Sequence, residues 1–427
     1  MAFLATLHMR YEVTLLSRLR RSTSHSEFIP VIDGLRFLAI FPVVLQHLCE
    51  RAIRVAEENH LATASDYALI NLLPTGYLGV ELFFVISGLI ISYPFISAHF
   101  RGQRKPSVRN FYLRRVTRLE PPYFLVMIGC YSFLRITGYI PEGTHTFSDG
   151  SVSLETSLAA SLVYMHGLLL GGIPMINPPV WSLELEIQFY ILAPIVVLAV
   201  LRLQRLPAIV LGFLALIAGS IVASHFPENQ SIPLHAIPLA KFFHLFLAGI
   251  LVNLLTLGGL VPQRIPQVIW DVGFIVAIVA LFLIDKHEGS ILAATAQVPC
   301  YLVLFLAAFE GMMFRRFLSL PWIFTIGGMC YTIYLIHLPI LQVLTGLAMR
   351  TSGCISFMPG LIVSIIVTLP ILFALSVAFF LLIEKPCMNP KWPLRFGDRI
   401  AGWAVQMGSG VVATRRRSQS PGNSKLF

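Results

Sequence analysis

Arg36 and His47 open and close an otherwise apolar run, the arginine near the start of DGLRFLAIFPVVLQH and the histidine at its end. Eleven residues apart, they fall within about 20° of one helix face and roughly 16 Å apart along the axis. An ionisable group inside a membrane span costs about 2.5–3.5 kcal/mol on insertion scales and normally faces a bundle interior or a wet cavity. The shared face therefore marks the pair as catalytic candidates. The competing roles are structural: Arg36 snorkelling to headgroups and His47 ending the helix.

A histidine that takes a proton from a hydroxyl works best beside a carboxylate, which raises its basicity and fixes its tautomer. Glu186 is the carboxylate expected to do this, on a helix face shared with Tyr190 at i, i+4. Glu184 points about 200° away and is expected nearer the interface. An ion pair between Glu186 and Arg36 is the competing reading. Glu81, Glu186 and His337 are all expected with His47 in the outer half of the membrane. On the other side, the loop RGQRKPSVRNFYLRRVTR places Arg115 and Arg118 at i, i+3, neighbours on a helix surface that can clamp phosphate oxygens. Simple positive-inside anchoring would explain the same arginines.

The elements that must position these residues are membrane helices. The chain has 427 residues, of which 56% are hydrophobic and only 12% charged, with mean hydropathy +0.78; a soluble protein carries about twice that charged share. The formal charge of +10 reflects basic residues segregated into loops on one side, so nucleic acid is not expected as a partner and the lipid bilayer is. The six cysteines have neither metal-ligand nor disulfide-framework spacing, and no metal is expected.

The expected fold class is all-α: a polytopic helix bundle with about ten spans, both termini cytoplasmic. Spans are expected near 33–50, 76–92, 120–137, 177–201, 207–224, 238–257, 269–285, 290–310, 321–345 and 359–383. Residues 157–173, interrupted by His166 and a Gly171-Gly172 pair, are expected to be re-entrant or superficial, because every later loop then obeys the positive-inside rule. Residues 1–28 are expected to form a basic cytoplasmic arm, either lying on anionic lipid or unstructured, with no cleaved leader. Residues 29–387 form the membrane domain. Residues 388–427 form a cytoplasmic tail, largely disordered by composition and without a fused soluble domain.

Five stretches in order carry a family resemblance. DGLR with the Arg-x10-His spacing, GYLGVELFFVISGLIIS, RRVTRLEPPY, WSLELEIQFY and YTIYLIHLP, with a final EKP, resemble the acyltransferase-3 family of membrane O-acyltransferases over roughly residues 29–387. Departures include Glu81 where the family usually has Asp, Glu120-Pro121 in the basic loop, and Ile187 where a second Glu is common. The resemblance implies transfer of an acyl group, acetyl as the leading choice, from acyl-CoA to a hydroxyl of a sugar, surface glycan or glycoside, with His47 essential and no permanently bound cofactor. It carries Arg115, Arg118 and Tyr123 to the donor side, and Trp181, Tyr190, Tyr334 and His337, with Glu81, to the lining of the site. A bacterial cytoplasmic membrane is the expected location; acceptor, acyl chain, oligomeric state and a direct or acyl-His47 route stay open. A secondary transporter is the alternative function, although no paired repeat of broken helices is evident.

Overall fold

The computed structural model describes residues 19, 21, 28–104, 106–138, 152–224, 238–286, 290–351, 356–389 and 392. Nearly all of the expected C-terminal tail and most of the N-terminal arm lie outside them.

Among the described residues, nine helices are long and apolar enough to cross a membrane, and the chain is an integral membrane protein built as an all-α bundle. In chain order the helices are α1 (Pro30–Glu58), α2 (Ala64–Asn71), α3 (Gly76–Phe100), α4 (Val108–Thr137), α5 (Leu154–Leu162), α6 (His166–Leu169), α7 (Val180–Leu201), α8 (Leu206–Ser224) and α9 (Pro238–Leu257). They continue with α10 (Gln267–Asp285), α11 (Ile291–Glu310), α12 (Met313–Leu318), α13 (Pro321–Gly328), α14 (Cys330–Thr351) and α15 (Phe357–Phe379). A π turn (Phe380–Glu384) and α16 (Lys385–Cys387) end the series. The expected span 120–137 is the distal part of α4, whose arginine-rich first turns extend beyond the apolar part.

Two features position the site. The first is close approach of helices at glycines: a Cβ on Gly88 of α3 would sit 1.9 Å from the Phe246 carbonyl oxygen of α9, and one on Gly249 would sit 2.0 Å from that of Val85. Small residues let membrane helices meet at backbone distance, and α3 is thereby fixed at the centre of the bundle. The second is the segment between α4 and α7. At nine residues, α5 is roughly 14 Å long, under half of a bilayer's hydrocarbon thickness of about 30 Å, so it is too short to cross.

Polar contacts hold this segment. Tyr123 of α4 donates to the Ser161 carbonyl at 2.8 Å and stacks on Tyr164, whose hydroxyl donates to Glu120 at 3.0 Å. His166 meets the Ser157 hydroxyl at 3.1 Å; its burial pushes its pKa down to about 4, so it is held neutral. Glu184 accepts from the Gly167 backbone N–H at 3.2 Å and is buried beneath this segment.

Candidate functional site

The α1 helix does not end near residue 50 but runs through Pro42 to Glu58. The extra turns carry a carboxylate to His47. His47 Nδ1 lies 3.1 Å from Glu50 Oε2, while Gln46 donates its amide N–H to Glu50 Oε1 at 2.5 Å. Gln46 is itself held at the start of α3, where its side-chain oxygen accepts from the Gly76 N–H. Both carboxylate oxygens of Glu50 are thus engaged, and its acceptance at Nδ1 leaves His47 Nε2 as the basic nitrogen.

His337 of α14 stands beside it, ring centroids 5.3 Å apart. Its Nδ1 lies 2.7 Å from the Tyr334 carbonyl, and since a carbonyl only accepts, the proton sits on Nδ1. In the neutral ring Nε2 then carries the lone pair; it is fully buried and has no hydrogen-bond partner among the described residues. Tyr334 donates to the Pro179 carbonyl and pairs with the Ser182 hydroxyl, and Asn177 donates to the Leu335 carbonyl at 2.9 Å. These bonds lock α14 to the entry of α7. Trp181 stacks on Tyr77 at 6.1 Å and packs against Phe84 and Phe242, walling this region.

Glu186 belongs to the other end of the bundle. It accepts from the hydroxyls of Ser87 and Tyr190, and the Arg115 guanidinium lies 5.2 Å from the Tyr190 ring and 3.6 Å from that of Phe111. The depth follows from the register of α1 against α3. Gln46 sits at Gly76, and the Cβ position of Gly79 faces the Ala39 carbonyl, so the helices are antiparallel. Ser87, eleven residues past Gly76, lies roughly 16 Å further along, near the Arg36 end of α1. The sequence expectation that Glu186 shares the outer half with His47 is corrected here: the carboxylate at His47 is Glu50, which stands at the expected end of the first span. The signal was present, since positions 47 and 50 share a face on a helix that continues.

At the Arg36 end, Arg36 donates to Asp33 within the first turn of α1, and Arg21 Nη1 lies 3.7 Å from the same carboxylate. Asp33 lies inside the first turn, because α1 starts at Pro30, and is an ion partner of both arginines. Arg118 Nη2 is 3.5 Å from Glu384, whose other oxygen accepts from Thr332 at 2.6 Å. Pro386 has no N–H to return to the preceding turn, and the π turn there directs the fully buried Glu384 inward. Arg115 and Arg118 therefore turn to different partners, one toward Tyr190 of α7 and one toward Glu384 at the end of the π turn. Tyr123, expected on the donor side with them, pins the segment between α4 and α7. Glu81 is bound by Gln297 at 2.9 Å and Tyr301 at 3.0 Å, which ties α3 to α11 and directs it away from His47.

The arrangement is two stations on one helix. A histidine pair with open Nε2 positions lies at one end, and a nest of guanidinium and carboxylate groups lies roughly 16 Å away by the rise between Arg36 and His47.

The family model described as "Acyltransferase domain" matches residues 29–384. The O-acetyltransferase OatA of Staphylococcus aureus is 25% identical over 335 residues, 74% of this chain and 51% of that protein. The putative peptidoglycan O-acetyltransferase YrhL of Bacillus subtilis is 24% identical over 344 residues, 76% and 50% of the two. The peptidoglycan O-acetyltransferase OatA of Listeria monocytogenes is 26% identical over 199 residues, 45% and 28%. The chain spans about half the length of the first two of these relatives. No solved structure matches it. The matched domain takes in α1 through the π turn and both stations: this chain belongs to the acyltransferase-3 family of membrane acyltransferases.

Proposed function

We propose that the protein is a membrane O-acetyltransferase that moves an acetyl group from acetyl-CoA to a hydroxyl of a cell-envelope glycan, with peptidoglycan as the leading acceptor. The observation that carries this reading is the Gln46–Glu50–His47 chain opposite His337. A thioester is already activated, so the reaction needs a base for the alcohol, a site for the donor's phosphates and exclusion of water. The relatives named peptidoglycan O-acetyltransferases support the acceptor class.

In this reading His47 Nε2 takes the hydroxyl proton while the oxygen bonds to the thioester carbonyl carbon. The C–S bond then breaks and the thiolate recovers that proton from His47. Glu50 holds the imidazolium in place and offsets its charge. The neutral His337 accepts a hydrogen bond at Nε2 and orients the incoming alcohol. The donor enters at the arginine end, where Arg115 and Arg118 meet its phosphates, and that end faces the cytoplasm of a bacterial cell by the positive-inside rule. The pantetheine arm carries the thioester toward His47, and the acceptor stays at the far face.

The test is a purified protein in proteoliposomes given labelled acetyl-CoA on one side and muropeptide or glycan acceptor on the other. Label in the acceptor is the expected result. No label in any glycan tried, together with unchanged O-acetylation of surface glycans in a deletion strain, would overturn the assignment.

A further inference from the structure

The family domain begins at residue 29, yet two residues before it reach into the bundle. Leu19 is 3% exposed and belongs to the main hydrophobic cluster. Arg21 Nη1 sits 3.7 Å from Asp33, the carboxylate that Arg36 also meets, so Arg21 stands at the arginine end of α1. For these two residues the arm does not lie on lipid.

The geometry of the Asp33 contact decides what Arg21 can do there. Asp33 already accepts a hydrogen bond from Arg36, whereas 3.7 Å from Arg21 is ion-pair distance without a hydrogen bond. Arg21 can therefore leave without orphaning a buried carboxylate, the step that makes breaking most buried pairs expensive. The same region holds Arg21, Arg36, Arg115 and Arg118 against Asp33, Glu186 and Glu384, an excess of cation before any ligand arrives. Guanidinium groups suit phosphate oxygens because they present paired, planar donors.

We propose that Arg21 is a donor-phosphate ligand supplied from outside the family domain: when CoA binds, its guanidinium exchanges Asp33 for a CoA phosphate. The inference rests on the reading that CoA enters at this end. Arg36 keeps Asp33 satisfied during the exchange, and Leu19 tethers the arm so that Arg21 stays within reach.

The test measures binding of CoA and of pantetheine, which lacks the phosphates, to the purified full chain and to its Arg21→Ala, Arg21→Lys and Arg118→Ala variants. Arg21→Ala should raise the Kd for CoA about tenfold, the scale of a lost charge-assisted hydrogen bond, and move that for pantetheine less than twofold. Arg21→Lys should recover part of the loss. An unchanged CoA affinity in Arg21→Ala while Arg118→Ala weakens it would overturn the role of Arg21 and leave the donor site intact. Equal weakening of CoA and pantetheine by Arg21→Ala would make Arg21 a structural ion partner only and would also overturn the proposal. If neither Arg21→Ala nor Arg118→Ala changes CoA binding, the donor-entry reading falls, and this inference with it.

Discussion

The two ends of the α1 axis handle polar groups in opposite ways. At the arginine end Arg36 meets Asp33, Arg118 meets Glu384, and Glu186 is capped by two hydroxyls. At the histidine end the Nδ1 side of each imidazole is anchored, His47 to Glu50 and His337 to backbone, and for His337 the opposite nitrogen is buried without a partner. A buried polar atom left unpaired costs about 1–3 kcal/mol. The arginine end also leaves one buried nitrogen, Arg118 Nε, unpaired, but its charges stand against opposite charges or hydroxyls, whereas the imidazoles at the other end are held on one side only, by a carboxylate or by backbone.

The sharpest way to break this comparison is His47→Ala. A general base contributes about 10²–10⁴-fold, so acetyl transfer should fall by that factor while CoA binding at the other end stays within twofold. Near-normal turnover in a folded, purified variant would remove His47 as the base. Glu50→Gln comes next. Losing a hydrogen bond to a charged group is worth about 1.5–3 kcal/mol, which is roughly 10- to 100-fold in kcat. Gln keeps the shape but has no charge to hold the imidazolium and only one oxygen for the two donors, Gln46 and His47, so the loss should appear in kcat and leave the KM for acetyl-CoA unmoved. A change confined to KM would make Glu50 a binding residue.

The opposite end is tested by Arg115→Ala combined with Arg118→Ala. The variant should weaken CoA about 10- to 100-fold on the same hydrogen-bond scale with acceptor KM unchanged. It also leaves Glu384 buried without its cation, so a lower melting temperature is expected; a conservative Arg118→Lys preparation separates lost binding from lost folding. Equal loss of donor and acceptor binding would mean the two ends are not independent.

The main elements were readable from the sequence because membrane helices announce themselves by length and apolarity, and the short reach of residues 157–173 followed from charge alone. Side-chain partners were less readable. Glu186 reads as the partner of His47 from its helix face and from loop charges, but depth is set by register, and the meeting of Gln46 with Gly76 fixes how far down Ser87 and its partner lie. Glu50 was missed because polar residues after an apolar run look like a loop, although a helix can carry them beyond the membrane. Arg21 was read as part of a surface arm because an arginine-rich leader has no periodicity that distinguishes a group turned inward from one facing lipid.

His337→Phe should have a smaller effect than the changes at His47 and Glu50. It conserves a ring of similar bulk and removes the bare Nε2, so one neutral hydrogen bond to the acceptor is lost, worth about 0.5–1.5 kcal/mol or roughly 2- to 10-fold in acceptor KM. The Nδ1 contact goes to helix carbonyls that belong to α14 itself, so folding should hold. A drop in kcat as large as that of His47→Ala would instead make His337 the proton acceptor and reverse the roles of the pair.

The smallest effect on activity, and the one on which the placement of both stations depends, belongs to sidedness. Single cysteines at Ala64, in α2 beyond the histidine end, and at Gln204, between α7 and α8, are introduced into a chain whose six native cysteines are replaced. Both positions are exposed, so neither substitution should alter turnover. The positive-inside rule puts the arginine end in the cytoplasm, and the short α5 adds no crossing between α4 and α7. Ala64→Cys should therefore react with an impermeant thiol reagent in intact cells, and Gln204→Cys only after permeabilisation. Labelling of Gln204→Cys in intact cells would require residues 157–173 to cross, despite α5 having only nine residues. It would also turn α7 over, with Glu186 and Tyr190 no longer at the depth of the arginines. Labelling of neither position from outside would place the histidine pair on the cytoplasmic face, and the donor and acceptor would then have to exchange ends.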